Sequence, residues 1–133
     1  MIKTEGVLHF TIPVKNLDRA EKFYTELLGF EKVGRTDRIV LLRAGGSDFF
    51  NLTYSENPIT LNAGSRHEIH SAFKVAPETY EATIKRLPEK GVEIFKEEDR
   101  QSGVFVGRSA YIRDPDGNVL EFIDLKRAPA PQS

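Results

Sequence analysis

The sequence predicts an α+β fold built from one unit that occurs twice. The first observation is the order of elements, since a strand, a helix and three strands can be read between residues 6 and 54 and again in the second half. The second is spacing: His9 and His70 stand 61 residues apart, and Gly29 and Gly91 stand 62 apart. Two half-sheets of this kind must pair to bury both faces, so we expect one compact domain.

Length and composition fit a small globular protein. The chain has 133 residues, of which 29% are charged and 39% hydrophobic, and a net charge of −1. That balance gives no reason to expect nucleic acid or an acidic membrane surface as a partner. The absence of cysteine excludes disulfides, zinc–thiolate sites and cysteine nucleophiles. We find neither a secretory signal nor an apolar run that could span a bilayer, so we expect a cytoplasmic protein.

The first half begins with a strand and an amphipathic helix. Residues 6–14 alternate, with His9 and Thr11 on the face opposite the large apolar side chains. Asn16 is a suitable N-cap, and apolar residues then recur at helical spacing as far as Gly29, which is typical of a helix that a glycine ends. Three short strands are predicted to follow, over residues 30–34, 39–43 and 48–54.

The second half repeats this order after a polar linker over residues 55–66. A strand over residues 68–75 carries His70, and Pro77 suits the start of a helix, which we expect Pro88 and Gly91 to end. The remaining segments are predicted as strands over residues 92–95, 104–113 and 119–125, and as a solvated polar loop over residues 96–103.

The last strand contains an acidic residue in apolar surroundings. Residues 114–118 (Asp-Pro-Asp-Gly-Asn) predict a tight turn, because Pro115 pre-sets one backbone angle and Gly117 accepts a positive φ. In the strand that follows, Glu121 shares a face with Val119 and other apolar residues. A carboxylate there must lose water, which costs free energy unless it gains a cation or hydrogen-bond donors. Glu121 therefore needs a partner.

His9, His70 and Glu121 form a candidate metal site. The two histidines occupy equivalent strand positions in the duplicated unit. Two imidazoles and one carboxylate make a facial triad, which leaves coordination positions open. Divalent Fe, Mn, Co, Ni and Zn accept such ligands, whereas calcium prefers more oxygens. The alternative for each residue alone is structural: a strand histidine bonded to backbone, or a glutamate paired with Lys or Arg.

Four segments together form a recognisable pattern: residues 8–11 (Leu-His-Phe-Thr), 20–30, 70–73 (His-Ser-Ala-Phe) and 114–122. On these segments the chain resembles the vicinal oxygen chelate superfamily, which includes glyoxalase I, fosfomycin-resistance thiol transferases, extradiol dioxygenases and bleomycin-resistance proteins. The resemblance implies a single domain over residues 1–133. It also implies two βαβββ modules, at about residues 5–55 and 67–126, that form an open cupped barrel around one metal ion.

The resemblance also implies roles for individual residues. The implied metal ligands are His9, His70 and Glu121. Asn51 stands where four-ligand members carry a glutamate, which favours three ligands and makes Asn51 a hydrogen-bonding residue of the pocket. Tyr111 is expected to direct its hydroxyl at the substrate as a catalytic donor to a developing oxyanion, and Thr11 to bind an oxyanion. The alternative for Tyr111 and Thr11 is an ordinary strand residue.

The function that follows from this resemblance is that of an enzyme dependent on a divalent metal ion. The ion would chelate neighbouring oxygens of a small substrate, and dioxygenase, thiol-transferase and lyase or isomerase chemistry all stay open. The alternative is a metal-free protein that binds a drug or metabolite in the same cup. Arg108 and Arg113 either pair with a substrate anion or are surface charges. We expect a homodimer with exchanged modules, in which His9 of one subunit meets the remaining ligands of the other.

Overall fold

The computed structural model describes residues 1–65 and 68–131, so Arg66 and His67, at the predicted boundary between linker and second module, lie outside the described residues. The chain forms two compact units. One consists of Met1–Leu61 with Asp114–Asn118, and the other of Asn62–Arg113 with Val119–Ser133. Each unit contains one four-stranded mixed sheet and one helical segment. The predicted α+β class and the repeated strand–helix–three-strand order are confirmed.

The first unit has the sheet order β1-β4-β3-β2, in which β1 runs parallel to β4 and the other pairs are antiparallel. Its strands are β1 His9–Val14, β2 Glu31–Arg35, β3 Ile39–Gly45 and β4 Asp48–Tyr54. The predicted first helix is α-helical over Leu17–Lys22, here α1, and continues as a π-helical turn over Phe23–Leu27. The Asn16 side chain caps α1 by accepting a hydrogen bond from the Arg19 amide, as expected.

The turn at residues 114–118 packs as part of the first unit. The carboxylate of Asp114 accepts hydrogen bonds from the Tyr24 hydroxyl and from the backbone and side-chain nitrogens of Asn118, all between 2.8 and 2.9 Å. The side-chain nitrogen Nδ2 of Asn118 also donates to the carbonyl oxygen of Pro13 at 2.8 Å. The turn therefore does more than reverse the chain, because it is tied to the helix and first strand of this unit.

The second unit has the same topology, with the order β5-β8-β7-β6 and β5 parallel to β8. Its elements are β5 His70–Lys74, α2 Pro77–Glu89, β6 Lys96–Arg100, β7 Val106–Arg113 and β8 Val119–Arg127. None of the described helices, in either unit, has the length and apolar character needed to cross a membrane.

Two predictions for the second half are wrong. Residues 92–95 are not a strand, and the predicted polar loop contains β6, which pairs with β7 from Lys96 to Arg100. The run Lys-Glu-Glu-Asp-Arg has no apolar alternation, but β6 lies at the edge of its sheet, where charged side chains are well tolerated. By contrast, the predicted end of the helix at Pro88 and Gly91 agrees with the structure, since α2 ends at Glu89 and Gly91 follows with a φ of 80°, which suits a glycine.

The two parallel strand pairs share one register. His9 lies opposite Phe49 across β1 and β4, and His70 lies opposite Val119 across β5 and β8. Asn51 lies two residues after Phe49 in β4, and Glu121 lies two residues after Val119 in β8. The register therefore agrees with the equivalence of the two histidines and with the correspondence of Asn51 to Glu121.

Candidate functional site

The second unit contains a pocket of about 1050 Å³ over one face of its sheet. The strand β8 contributes every second residue to the lining, as the predicted face requires. These residues are Val119, Glu121, Ile123 and Leu125. The other strands add His70 from β5, Glu98 and Arg100 from β6, and Tyr111 from β7. The pocket therefore combines apolar side chains of β8 with a group of ionisable side chains from all four strands.

Glu121 lies at the base of this group and is only 4% exposed. Its Oε2 accepts a hydrogen bond from the Ser109 hydroxyl at 2.6 Å and lies 3.3 Å from Nη2 of Arg100. Its Oε1 lies 3.1 Å from Nε2 of His70. The partner that the sequence required for this carboxylate is therefore a set of three side chains, one of which is a permanent cation.

His70 faces an acceptor at each ring nitrogen. Nδ1 lies 3.0 Å from the carbonyl oxygen of Glu68, which can only accept, so Nδ1 carries a proton. Nε2 faces the carboxylate oxygen Oε1 of Glu121, which in its ionised form also only accepts. The contact between Nε2 and Oε1 is favourable when a second proton or another cation lies at Nε2. A backbone carbonyl that fixes one imidazole nitrogen and leaves the other for a cation is a common arrangement around metal-binding histidines.

Arg100 joins the carboxylates of Glu98 and Glu121. Its Nη1 donates to Oε2 of Glu98 at 2.6 Å and lies 3.3 Å from the Tyr111 hydroxyl oxygen. The Tyr111 hydroxyl in turn donates to Oε2 of Glu98 at 3.1 Å. The ammonium of Lys96 pairs with the other oxygen of Glu98 at 2.8 Å and lies over the Tyr111 ring. These contacts hold both carboxylates and the phenol in one connected network.

The network keeps its members in defined protonation states. Burial raises the pKa of Tyr111 to about 12, and the charges of Glu121 and Glu98 add to this effect while the hydrogen bond from Arg100 opposes it. The hydrogen bond from Lys96 lowers the pKa of Glu98. The hydrogen bond with Tyr111 and then that with Glu121 raise the pKa of Arg100. Near neutral pH Tyr111 is therefore a proton donor, Glu98 a carboxylate and Arg100 a cation.

Opposite charges are balanced along the pocket wall. Three of the lining residues are acidic and three are permanently basic near neutral pH. The acidic ones are Glu68, Glu98 and Glu121, and the basic ones are Lys74, Lys96 and Arg100. Any added divalent cation therefore makes the wall net positive, which favours ligands that carry or develop negative charge.

The remaining predicted site residues lie in the first unit. His9 is the first residue of β1 and is exposed. Thr11 lies opposite Asn51 in the parallel pairing of β1 with β4, and it lines a shallower pocket of about 360 Å³. The Asn51 side-chain oxygen is buried and has no hydrogen-bond partner among the described residues. An unsatisfied buried amide oxygen costs free energy, so this atom is a candidate acceptor for a bound group.

The structure brings His70, Glu121 and Tyr111 into one pocket, whereas His9, Thr11 and Asn51 belong to the other unit. Over residues 1–65 and 68–131, no group of three or more His, Cys, Asp or Glu side chains is placed to hold a metal ion. The three-ligand centre made by His9, His70 and Glu121 therefore stays a prediction, as do the substrate-binding roles of Thr11 and Asn51.

Sequence reasoning missed Glu98, Arg100 and Ser109. A signal for β6 was present, since the alternate residues Lys96, Glu98 and Arg100 carry charges of opposite sign at the spacing of one strand face. Without apolar residues, however, the same run predicts a solvated loop. Ser109 gave no signal, because a serine in an otherwise apolar strand has no distinctive partner until the strands are paired.

Arg108 and Arg113 both form ion pairs within the second unit. Arg108 pairs with Asp124 and Glu81, and its guanidinium lies 4.6 Å from the centre of the Tyr80 ring. Arg113 pairs with Glu68 at 3.0 Å. Neither arginine lines the pocket of about 1050 Å³. Of the two predicted alternatives, the ion pairs therefore favour the surface-charge role.

Two known proteins illustrate what this chain is similar to in sequence. The chain is 33% identical over 117 residues to the glutathione transferase FosA of Serratia marcescens, covering 88% of this chain and 79% of that protein. It is 27% identical over 128 residues to a manganese-dependent 2,3-dihydroxybiphenyl 1,2-dioxygenase of Geobacillus genomosp. 3, covering 93% of this chain but 38% of the dioxygenase.

A solved structure shows the same fold. The integron cassette protein HFX_CASS4, from the mobile metagenome of the Halifax Harbour sewage outfall, superposes with a TM-score of 0.74 at 28% identity, covering 90% of this chain and 98% of that one. The family profile described as glyoxalase/bleomycin resistance protein/dioxygenase superfamily matches residues 6–122. The chain therefore belongs to the glyoxalase/bleomycin resistance protein/dioxygenase superfamily.

Proposed function

We propose that the protein is an enzyme that depends on a divalent metal ion and binds neighbouring oxygens of a small substrate in the pocket of the second unit. The observation that carries the proposal is the approach of His70 Nε2 to Glu121 Oε1 at 3.1 Å. Both atoms have electron pairs to donate, and the Glu68 carbonyl oxygen already engages the other imidazole nitrogen. An imidazole and a carboxylate that converge in this way fit a borderline metal such as Fe, Mn, Co, Ni or Zn.

His9 is the proposed third ligand. It holds the same register position in β1 that His70 holds in β5. We propose that it reaches the site across a homodimer with exchanged modules. Two imidazoles and one carboxylate would then leave open positions for two substrate oxygens.

The residues around the pair have separate roles in this proposal. When bound, the metal ion would supply Lewis-acid activation of the substrate oxygens. The Tyr111 hydroxyl keeps its proton because burial raises its pKa to about 12, so it can donate a hydrogen bond to an oxygen that gains negative charge. In this structure the hydroxyl donates its single proton to Glu98 at 3.1 Å, so it would have to turn from Glu98 to donate to the substrate. Lys96 and Arg100 add positive charge to the same wall.

The named relatives support this class of chemistry. One is a glutathione transferase and another is named for its dependence on manganese. Thiol transfer, ring-cleaving dioxygenation and lyase or isomerase chemistry all use activation of a substrate oxygen and are the reactions proposed for this pocket. A small substrate with two adjacent oxygens would fill the coordination positions that three protein ligands leave open.

A metal-free binding protein is the second candidate, and one observation favours it. Arg100 and Ser109 already satisfy Oε2 of Glu121, so the carboxylate is compensated without any bound ion. A pocket of this kind could hold a drug or metabolite without chemistry. The two candidates differ in whether the protein retains a metal ion.

Metal analysis distinguishes them. Protein purified without chelator and reloaded with Mn²⁺ should retain about one ion per chain, and Glu121→Gln should lose most of it because an amide oxygen is a weaker ligand than a carboxylate. Glu97→Gln is the matched control, since Glu97 lies on β6 but does not line the pocket. Wild-type protein that takes up no metal would reject the enzyme and favour the binding protein.

A further inference from the structure

We propose that Arg100 is a built-in counter-cation of the candidate metal site, which confines Glu121 to ligation through one oxygen and lowers the affinity of the site for divalent ions. The inference rests on the proposed function and concerns the regulation of that same site. Its starting point is that a permanent cation already occupies one side of the carboxylate that is expected to bind the metal ion.

The guanidinium of Arg100 is fixed at several points within the second unit. Nε donates to the carbonyl oxygen of Phe105 at 3.2 Å, and Nη1 donates to Oε2 of Glu98 at 2.6 Å. Nη2 lies 3.3 Å from Oε2 of Glu121 and 3.4 Å from the Ser109 hydroxyl. A side chain held through all three nitrogens keeps its charge beside Glu121, instead of moving away into solvent.

The two oxygens of Glu121 are therefore not equivalent. Oε2 receives both the Ser109 hydroxyl at 2.6 Å and the Arg100 guanidinium. Oε1 faces Nε2 of His70 and is the oxygen that remains for a cation. Ligation through Oε1 alone uses one coordination position, whereas a carboxylate that binds through both oxygens uses two. Arg100 thereby keeps a position open for the substrate.

Two effects of Arg100 act on a divalent ion in the same direction. Its charge repels the ion, and its hydrogen bond withholds Oε2 from the ion. Removing the guanidinium should therefore strengthen metal binding. A residue that only supported Glu121 would give the opposite result, because loss of an orienting partner typically weakens metal affinity about 10–100-fold. The direction of the change distinguishes the two roles.

The test compares Mn²⁺ affinity by titration calorimetry in wild-type protein, Arg100→Gln and Arg100→Lys. We expect Arg100→Gln to lower the Kd for Mn²⁺ about tenfold or more, and Arg100→Lys to stay near the wild-type value because the charge remains. Arg108→Gln is the matched control, because it also removes a guanidinium from this sheet. The Arg108 guanidinium pairs with Asp124, and Arg108 does not line the pocket. Melting temperatures show that each variant is folded.

A second measurement, the visible absorption of bound Co²⁺, reports the ligands of the ion and not its affinity. With Co²⁺ in place of Mn²⁺, the visible absorption of Arg100→Gln should change because Glu121 gains a second ligating oxygen. Ser109→Ala removes the other hydrogen bond to Oε2 without altering any charge, and its spectrum should stay near that of wild-type protein because Arg100 still holds that oxygen. Unchanged or weaker Mn²⁺ binding by Arg100→Gln would overturn the inference and leave the proposed function standing. Equal strengthening by Arg108→Gln would overturn it too, and wild-type protein that binds no Mn²⁺ would overturn both proposals.

Discussion

At the scale of single residues, the Tyr24 hydroxyl and the Asp114 carboxylate show how the turn at residues 114–118 is held in place. Tyr24 is fully buried, and its hydroxyl donates to Oδ2 of Asp114 at 2.8 Å. Burial raises the pKa of both groups. The raised pKa of Tyr24 keeps the phenol protonated, so its proton is available to a carboxyl group that has lost water.

Replacing Tyr24 with Phe should destabilise the first unit. The Asp114 carboxylate would keep its hydrogen bonds from Asn118 but lose the one from Tyr24, and a hydrogen bond to a charged group contributes about 1.5–3 kcal/mol. The free energy of unfolding from urea denaturation at neutral pH measures the loss. Tyr54→Phe is the control, because Tyr54 is 41% exposed. A Tyr24→Phe protein as stable as the control would show that the hydrogen bond adds nothing.

At the scale of elements, β6 is the part of the fold that charge rather than burial holds in place. Its residues Lys96, Glu98 and Arg100 form ion pairs at 2.8 and 2.6 Å on the pocket face. The strand lies at the edge of its sheet and pairs only with β7 among the described strands. Its stability should therefore depend on pH more than that of the apolar strand β8.

Glu98→Gln should lower the melting temperature at pH 7, and the difference from wild type should narrow in acid. The folded-state pKa of Glu98 lies below its ordinary value of 4.5, chiefly because of Lys96. A depressed carboxyl pKa stabilises the fold above the ordinary value, and this contribution is lost as the pH falls through the folded-state pKa. Melting curves from pH 7 to pH 3 measure it.

Glu97→Gln serves as the reference for this titration, since Glu97 is the neighbouring carboxylate on the same strand and does not line the pocket. A Glu98→Gln difference that stays constant between pH 7 and pH 3 would show that the ion pairs of β6 do not stabilise the fold.

The elements that the sequence predicted well are those with a local signal. The alternation around Glu121 gave the correct pocket face of β8, and Asn16 marked the helix start that its side chain caps. The strand β6 has only the alternating charges of Lys96, Glu98 and Arg100 as a local signal, because its partners in β7 are distant in sequence and only strand pairing brings them near. Contacts between strands that are far apart in the chain also create the Arg100 network, so sequence patterns alone could not predict it.

At the scale of the whole molecule, the chain contains two units of matching topology that differ at one corresponding position. Glu121 in the second unit corresponds to Asn51 in the first, as the strand register indicates. One unit therefore supplies a histidine and a carboxylate, whereas the other supplies a histidine and an amide. Family membership follows from the profile match over residues 6–122, and the proposed metal centre would combine the histidine of one unit with the histidine and carboxylate of the other.

The most direct test is the metal content of His9→Ala and His70→Ala proteins, prepared separately and by co-expression. Each variant alone should bind little Mn²⁺, because every site lacks one ligand. If His9 of one subunit completes the site of the other, a mixed dimer contains one site with both substitutions and one intact site. Two affinity tags separate the mixed dimer from the other co-expressed species. The mixed dimer should retain about one Mn²⁺ per dimer. Wild-type metal content in either variant alone would contradict the three-ligand centre, and a mixed dimer without metal would contradict its sharing between subunits.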